Sequence, residues 1–312
     1  MSTKPAIAIV GADGFVGGGL AAAIDATRIT YGVAENAEVH IAQAGPTLRD
    51  ADIVINAGGF RVRPGCSISD YRRSHEGAAS ALVPHLRQGT LLIHISSASV
   101  LGKSRTEKLG PRTQPNPAAF PSCSYAVAKF ETEQFLTRAA SERGFRVIFL
   151  RPALVYGRNG TGMIESLIKL AKRRIGLRLY PRTCRHHLCH MNLLVEVARR
   201  VIDQRPPHLS SFVVAEPYTV TNRELEAVLA EWSPRPRLTF PIPVGWLKVL
   251  LQNTFHSRNP VLDLKTWAEI CGVLKMDTVY DPSDTFRALG IDPSHYSIEK
   301  TLRPLIKEAF RQ

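Results

Sequence analysis

The chain has 312 residues, 44% hydrophobic and 21% charged, enough for a large core in one domain with or without a smaller lobe. No apolar run reaches the ~18 residues of a membrane span. The start, MSTKPAIAIVGADGFVG, enters a strand pattern with no leader signature, so a cytoplasmic protein is expected. The net charge of +13 attracts phosphates on small substrates, lipids or nucleic acid, but the basic residues are spread along the chain without a nucleic-acid motif, so no nucleic-acid partner is expected.

The first half alternates strand and helix patterns. AIAIV (6–10) is a short apolar strand, followed by GADGFVGGG and an alanine-rich helix to about Asp25. ITYGVA (29–34) and VHIA (39–42) read as the next strands, with the helix before ADIVINAGG (51–59) reduced or missing. TLLIHISSAS (90–99) is a strand ending in small hydroxyls, residues 120–144 are a long helix with its entry loop, and FRVIFLRPALVYG (145–157) is a strand and loop. Such alternation implies a Rossmann-type α/β fold, a doubly wound parallel sheet with helices on both faces.

The second half is less regular. MIESLIKLAKRRIG (163–176), LLVEVARRVIDQ (193–204) and NRELEAVLAEW (222–232) are helical, FVVAE (212–216) is a strand, and prolines cluster at 234–243. Residues 1–157 are therefore expected to form a dinucleotide-binding domain. Residues 158–312 form a smaller mixed α/β substrate lobe, with some segments returning to the first.

The five cysteines, an odd number without C-x-x-C, suit reduced thiols. Cys184-Arg-His-His-Leu-Cys189-His190 lacks a second ligand pair at zinc-site spacing and contains an arginine, so no metal is expected.

Gly11-Ala-Asp-Gly14-Phe15-Val16-Gly17 follows a strand and opens a helix. Glycines there permit a tight turn and close approach to a pyrophosphate, which the helix N-terminus favours. Glu35, 24 residues after Gly11, is placed to accept the adenosine ribose hydroxyls, which selects NAD and leaves NADP open.

Tyr125 and Lys129 in SCSYAVAKF stand at i and i+4, one turn apart on one helix face. An ammonium beside a phenol favours its ionised form, so the pair could exchange a proton with a substrate hydroxyl or carbonyl. The spacing alone does not separate this from an ordinary helix.

Several pieces fall in one order: the Gly11/Gly14/Gly17 loop, Asn56-Ala57-Gly58 after a strand, Ser96-Ser97 after the next, Tyr125-x-x-x-Lys129, and Arg151-Pro152-Ala-Leu-Val155-Tyr156-Gly157. This order resembles the extended short-chain dehydrogenase/reductase superfamily, and within it the nucleotide-sugar epimerases, dehydratases and 4-ketoreductases. The resemblance implies that Tyr125 is the general acid/base and that Lys129 lowers its pKa and holds the nicotinamide ribose. Ser97 then hydrogen-bonds the same substrate oxygen. It places Asn56, Ala57, Gly58, Pro152 and Val155 at the cofactor. Arg185, in RHHLCHMNL, matches an arginine that holds a nucleotide diphosphate, with Arg61, Arg158 and Ser99 as further substrate candidates. The closing segments around Tyr280–Asp281 and Leu289–Gly290 also resemble that superfamily, and a homodimer is implied.

There are departures. Leu101 stands where a tyrosine is usual and Asn192 where an aspartate is usual. No acid pair follows Ser97, so elimination of water lacks its acid and base, which disfavours a dehydratase. The leading expectation is an NAD(P)-dependent nucleotide-sugar epimerase acting at a sugar carbon such as C4. The alternatives are a 4-ketoreductase, a steroid- or flavonoid-type dehydrogenase, and a non-catalytic cofactor- or RNA-binding regulator.

Overall fold

The computed structural model describes residues 4–30, 37–62, 66–103, 108–120, 123–160, 162–172, 175–179, 181–233, 238–242 and 275–311. The first half runs β1 (Ile7–Val10), α1 (Phe15–Ala23), β2 (Thr27–Ile29), α2 (Ala37–Gln43), α3 (Gly45–Asp50), β3 (Ile53–Asn56) and α4 (Ile68–Arg72). A π-turn, Arg73–Gly77, leads to α5 (Ala78–Leu82), β4 (Leu91–Ile95), α6 (Cys123–Arg143), β5 (Arg146–Pro152) and β6 (Leu154–Tyr156). The second half adds α7 (Met163–Lys172), β7 (Ile175–Leu179), β8 (Arg185–His190), α8 (Met191–Gln204), β9 (Ser211–Val214), β10 (Thr219–Thr221), α9 (Asn222–Trp232) and β11 (Leu238–Ile242). Helices α10 (Ser283–Leu289) and α11 (Leu302–Arg311) follow.

The main sheet has the order β2-β1-β3-β4-β5-β9, and every neighbouring pair is parallel. Strands buried on both faces read as unbroken apolar runs, as Ile7–Val10 and Ile53–Asn56 do. One face carries Ile9, Ile55, Ile93 and Leu150 against α1, α8 and α10; the other carries Val10, Val54, Leu92 and Phe149 against α2, α3, α5 and α6. Because β2 and β3 lie on opposite sides of β1, the strand order reverses there. Ligands of such sheets bind outside the carboxyl ends at that point.

The second half builds its own core from Tyr156, Ile164, Leu167, Leu188, Val220, Leu225, Leu302 and Ile306. Around it stand a three-stranded sheet, β10-β8-β6, and the parallel pair β7 and β11. Strand β9 and helix α8 return to the main sheet and its core. No helix among the described residues is long and apolar enough to cross a membrane.

Three elements differ from the sequence reading. Val39–Ala42 is not a strand but part of α2: Ala37 and Ile41, four apart, are buried together, a helical spacing that a short apolar run conceals. With α3 it supplies the helical connection expected to be reduced. Strand 145–157 divides, β5 pairing with β4 and β9 while β6 pairs with β8 in the other sheet. Helix 163–176 ends by Lys172, and Ile175 begins a strand whose partner, β11, is distant in sequence.

Candidate active site

The carboxyl ends of β1, β3 and β4 bring the glycine loop, the Asn56 loop and Ser97 to one edge. Gly11 has φ 78°, a left-handed conformation that glycine adopts without strain, and a Cβ on it would lie 2.9 Å from the backbone of Gly58. The two loops therefore touch, and the Asn56 side chain accepts from Gly58 N at 3.1 Å to hold the second one. Gly14 is the N-cap of α1 and offers no side-chain cap, so the first-turn N–H groups of Phe15, Val16 and Gly17 are left for an anion. Phe15, Val16, Ala57 and Val155 each pack, partly buried, against the sheet core, and Pro152 ends β5 beside Val214. This cradle fits the pyrophosphate of a dinucleotide. Glu35 lies outside the described residues. Arg28 on β2, which the sequence reading passed over, extends its guanidinium to Ala12 O at 3.2 Å on the same loop.

Ser97, Tyr125 and Lys129 converge at the end of β4. Ser97 is the N-cap of a short 3₁₀ turn, and its Oγ accepts from Ser99 N at 3.2 Å and Ser99 Oγ at 2.8 Å. Ser99, expected at the substrate, is buried, and its hydroxyl is turned to Ser97. With its acceptor sites used, the Ser97 hydroxyl is free to donate, and it hydrogen-bonds Tyr125.

Helix α6 carries Tyr125 and Lys129 on the face toward the sheet. The Tyr125 ring meets Tyr71 and His75 edge-on, with centroids 5.6 Å away in each case. Lys129 is buried and donates to Ile95 O at 3.0 Å. One turn further along α6, Glu133 pairs with Arg151 of β5 through two bonds of 2.9 and 2.7 Å, tying the helix to the sheet.

Burial dominates the electrostatics. It pushes the Tyr125 phenol up to about 12, with the Ser97 hydrogen bond opposing it. It lowers Lys129 to about 8, with Glu133 opposing. The phenol thus lies above its ordinary range although an ammonium stands one turn away on α6. The ammonium bonds the Ile95 carbonyl, and desolvation outweighs the favourable contacts of the phenol. At neutral pH Tyr125 is thus a phenol, the proton-donating form.

The arginine candidates are surface groups with carboxylate partners or solvent exposure. Arg158 pairs with Glu308 of α11, Arg185 with Asp277 at 3.3 Å, and Arg61 is exposed beyond the Gly58 loop. The histidines around Arg185 are structural. His186 bridges Thr278 and Asn222 at 3.1 and 3.0 Å, and His187 accepts from Tyr280 N at 2.9 Å.

A model of the NAD dependent epimerase/dehydratase family matches residues 7–215. The UDP-glucose 4-epimerase of Vibrio cholerae is 28% identical over 202 residues, 64% of this chain and 58% of that protein, so the match spans under two thirds of the relative's length. UDP-glucuronic acid 4-epimerase from Bacillus cereus, in complex with UDP-glucuronic acid and NAD, has a TM-score of 0.74 at 15% identity, with 98% of this chain and 99% of that one covered. RMD from Pseudomonas aeruginosa, complexed with NADPH, has a TM-score of 0.73 at 15% identity, with 98% and 99% covered. At these identities the two structures establish a shared fold. With the glycine cradle at the switch point and the family match across two thirds of its length, the chain belongs to the NAD-dependent epimerase/dehydratase family, of the extended short-chain dehydrogenase/reductase type.

Proposed function

We propose that the chain is a nucleotide-sugar epimerase working by hydride transfer at a sugar carbon, C4, with Tyr125 as acid and base. The observation that carries this reading is the convergence of Ser97, Tyr125 and Lys129 at the end of β4, beside a pyrophosphate cradle. The Vibrio cholerae relative supports the choice of reaction. NAD, when bound, supplies the hydride acceptor and donor. Gly11, Gly14 and Gly17 with the first turn of α1 hold its pyrophosphate, and Asn56, Ala57, Gly58, Pro152 and Val155 line the path onward. With the sugar in place, Ser97 turns its single proton from Tyr125 to the reacting oxygen. Tyr125 gives a proton to the keto oxygen in one half-reaction and takes it from the hydroxyl in the other. Lys129, as a cation, favours the phenolate that the second half requires. Residues 1–157 are the dinucleotide domain, and 158–312 mainly the sugar-nucleotide lobe, with Arg61, Arg158 and Arg185 as candidate phosphate contacts.

A 4-ketoreductase is the second reading, and the phenol form of Tyr125 favours it, because that form donates to a keto oxygen. Incubation with a panel of UDP- and dTDP-sugars without added nicotinamide, followed by NMR, separates the two. A stereoisomer formed with no net change in nicotinamide absorbance is the expected result. Turnover confined to 4-keto sugars with stoichiometric NADH or NADPH would establish the reductase instead.

A further inference from the structure

Beneath the catalytic pair lie two side chains that the chemistry above leaves unused. His75, in the π-turn between α4 and α5, and His94, on β4, are each 1% exposed; neither ring nitrogen of His94 has a hydrogen-bond partner, and His75 reaches the Phe60 backbone with one nitrogen and leaves the other to accept. A buried polar atom without a partner is costly, so these rings call for an explanation. Ser96 Oγ, two residues beyond His94, is buried and unpartnered as well.

Their placement connects the working parts of the site. The His75 ring lies against Gly59 of the Asn56 loop, where φ is 114° and a Cβ would fall 2.1 Å from Nδ1. It stacks on Tyr71, with 3° between planes, and meets Tyr125 edge-on. His94 alternates with Leu92 on the β4 face covered by α5 and α6, with its ring edge-on to Phe149. Lys129 descends from α6 to Ile95 O, the carbonyl next to His94, and its charge acts on both imidazoles.

An ammonium has three protons to place, and Lys129 gives one to Ile95 O. We propose that His75 and His94 accept the remaining protons of Lys129 Nζ through ordered water, and that this pair keeps the buried lysine protonated and aimed at the catalytic edge. The inference rests on Lys129 serving the site as set out above. Such a water would draw on Lys129 Nζ, the two imidazoles and the unpartnered Ser96 Oγ, within the two to four polar partners that a buried water requires. Both imidazoles are positioning residues acting through Lys129.

Histidine suits the task because a neutral ring accepts at one nitrogen. Burial, and then the Lys129 charge, holds both rings well below the usual 6.5, so neither becomes a second cation near neutrality. The other ionisable groups around Lys129 are Glu133, itself held by Arg151, and the phenols of Tyr125 and, behind it, Tyr71. Glu133 favours the ammonium too, so loss of the imidazoles lowers the lysine without abolishing its charge. A lower pKa means that the cation is lost at lower pH, and a rate limb that depends on it moves the same way.

The test is an NMR titration of Lys129 in the full chain, with ¹³C,¹⁵N-labelled lysine. His75→Phe and His94→Phe should each lower its midpoint by about one pH unit or more, and the alkaline limb of kcat should follow. His75→Gln and His94→Gln, which restore an acceptor, should recover most of the shift. If a Phe variant fails to fold, the Leu variant at that position takes its place. In the parent, ¹⁵N spectra should show both rings neutral from about pH 6 to 9. A Lys129 midpoint unmoved in folded variants, no recovery with Gln, or an imidazolium at neutral pH would each overturn the proposal. The midpoint is read on the protein alone, so a shifted midpoint with no epimerase activity sinks only the functional reading.

Discussion

Gly17 sits directly against the carbonyl of Gly11: a Cβ at Gly17 would lie 2.0 Å from Gly11 O. The obstructing atom is backbone in the turn between β1 and α1, so it cannot swing aside as a side-chain end would. Gly17→Ala should therefore force α1 away from β1 and lower Tm by roughly 5 °C or more. Gly14 has an ordinary φ of −75°, and its nearest obstruction is Gly11 O at 3.4 Å. Gly14→Ala should cost about 1 kcal/mol or less. Thermal melts of the two variants compare them directly, and equal losses would contradict the packing described.

Tyr125→Phe removes one hydroxyl and keeps the ring that packs edge-on against Tyr71 and His75. Turnover should fall by about 10²–10⁴-fold, with the melting temperature and dinucleotide affinity nearly unchanged. Steady-state kinetics beside a calorimetric NAD titration checks both halves. Activity within a factor of about two of the parent would remove Tyr125 from the mechanism.

Ser97 supplies the hydrogen bond that opposes the upward push of burial on Tyr125. Ser97→Ala should raise the phenol further and cost roughly 10²-fold in kcat, the scale for losing one donor at a reacting oxygen. Ser99→Ala removes only the bond that orients Ser97, at 2.8 Å, and its loss should be smaller. The pH–rate profiles of the two variants provide the check: the limb governed by Tyr125 should move to higher pH in Ser97→Ala.

Glu216, just past β9, is fully buried, with Tyr156 Oη donating to its two oxygens at 3.0 and 3.1 Å. Burial raises its carboxyl from 4.5 to about 7. The folded chain thus holds a proton there that the unfolded chain releases above 4.5, so this group's contribution to stability is full below that pH and is lost as pH rises through about 7. Glu216→Gln, always neutral, should match the parent near the acid end and exceed it above neutrality by about 3 kcal/mol at most. Urea unfolding at about pH 5 and pH 8 reads the difference, and a gap that narrows with rising pH would reverse the sign argued here.

The first half of the fold was legible because its signals are local. Apolar runs punctuated by glycine mark β1, β3 and β4, and a phenol–ammonium pair one turn apart marks α6. What escaped was non-local. Val39–Ala42 is too short for periodicity to decide between strand and helix. β7 is defined by pairing with β11, far along the chain. In the site, Ser97, Tyr125 and Lys129 stood out by order and spacing, but the position of the Tyr125 pKa did not, since desolvation depends on what tertiary packing lays over the ring. His94 left one trace, a polar residue in register with Leu92 inside the apolar run LLIHI. His75 left none, because only the π-turn and its contacts distinguish it from a surface histidine.

In the proposed reaction one carbon loses a hydride and regains it on its other face. The most direct test uses UDP-glucose carrying deuterium at C4, incubated with the protein and NAD in ordinary water, with the product examined by NMR and mass spectrometry. The C4 epimer should form with its deuterium retained and no net nicotinamide reduction. An epimer whose C4 deuterium has exchanged with solvent, or no epimer from any nucleotide-sugar while a 4-keto sugar is reduced at the expense of NADH or NADPH, would contradict it.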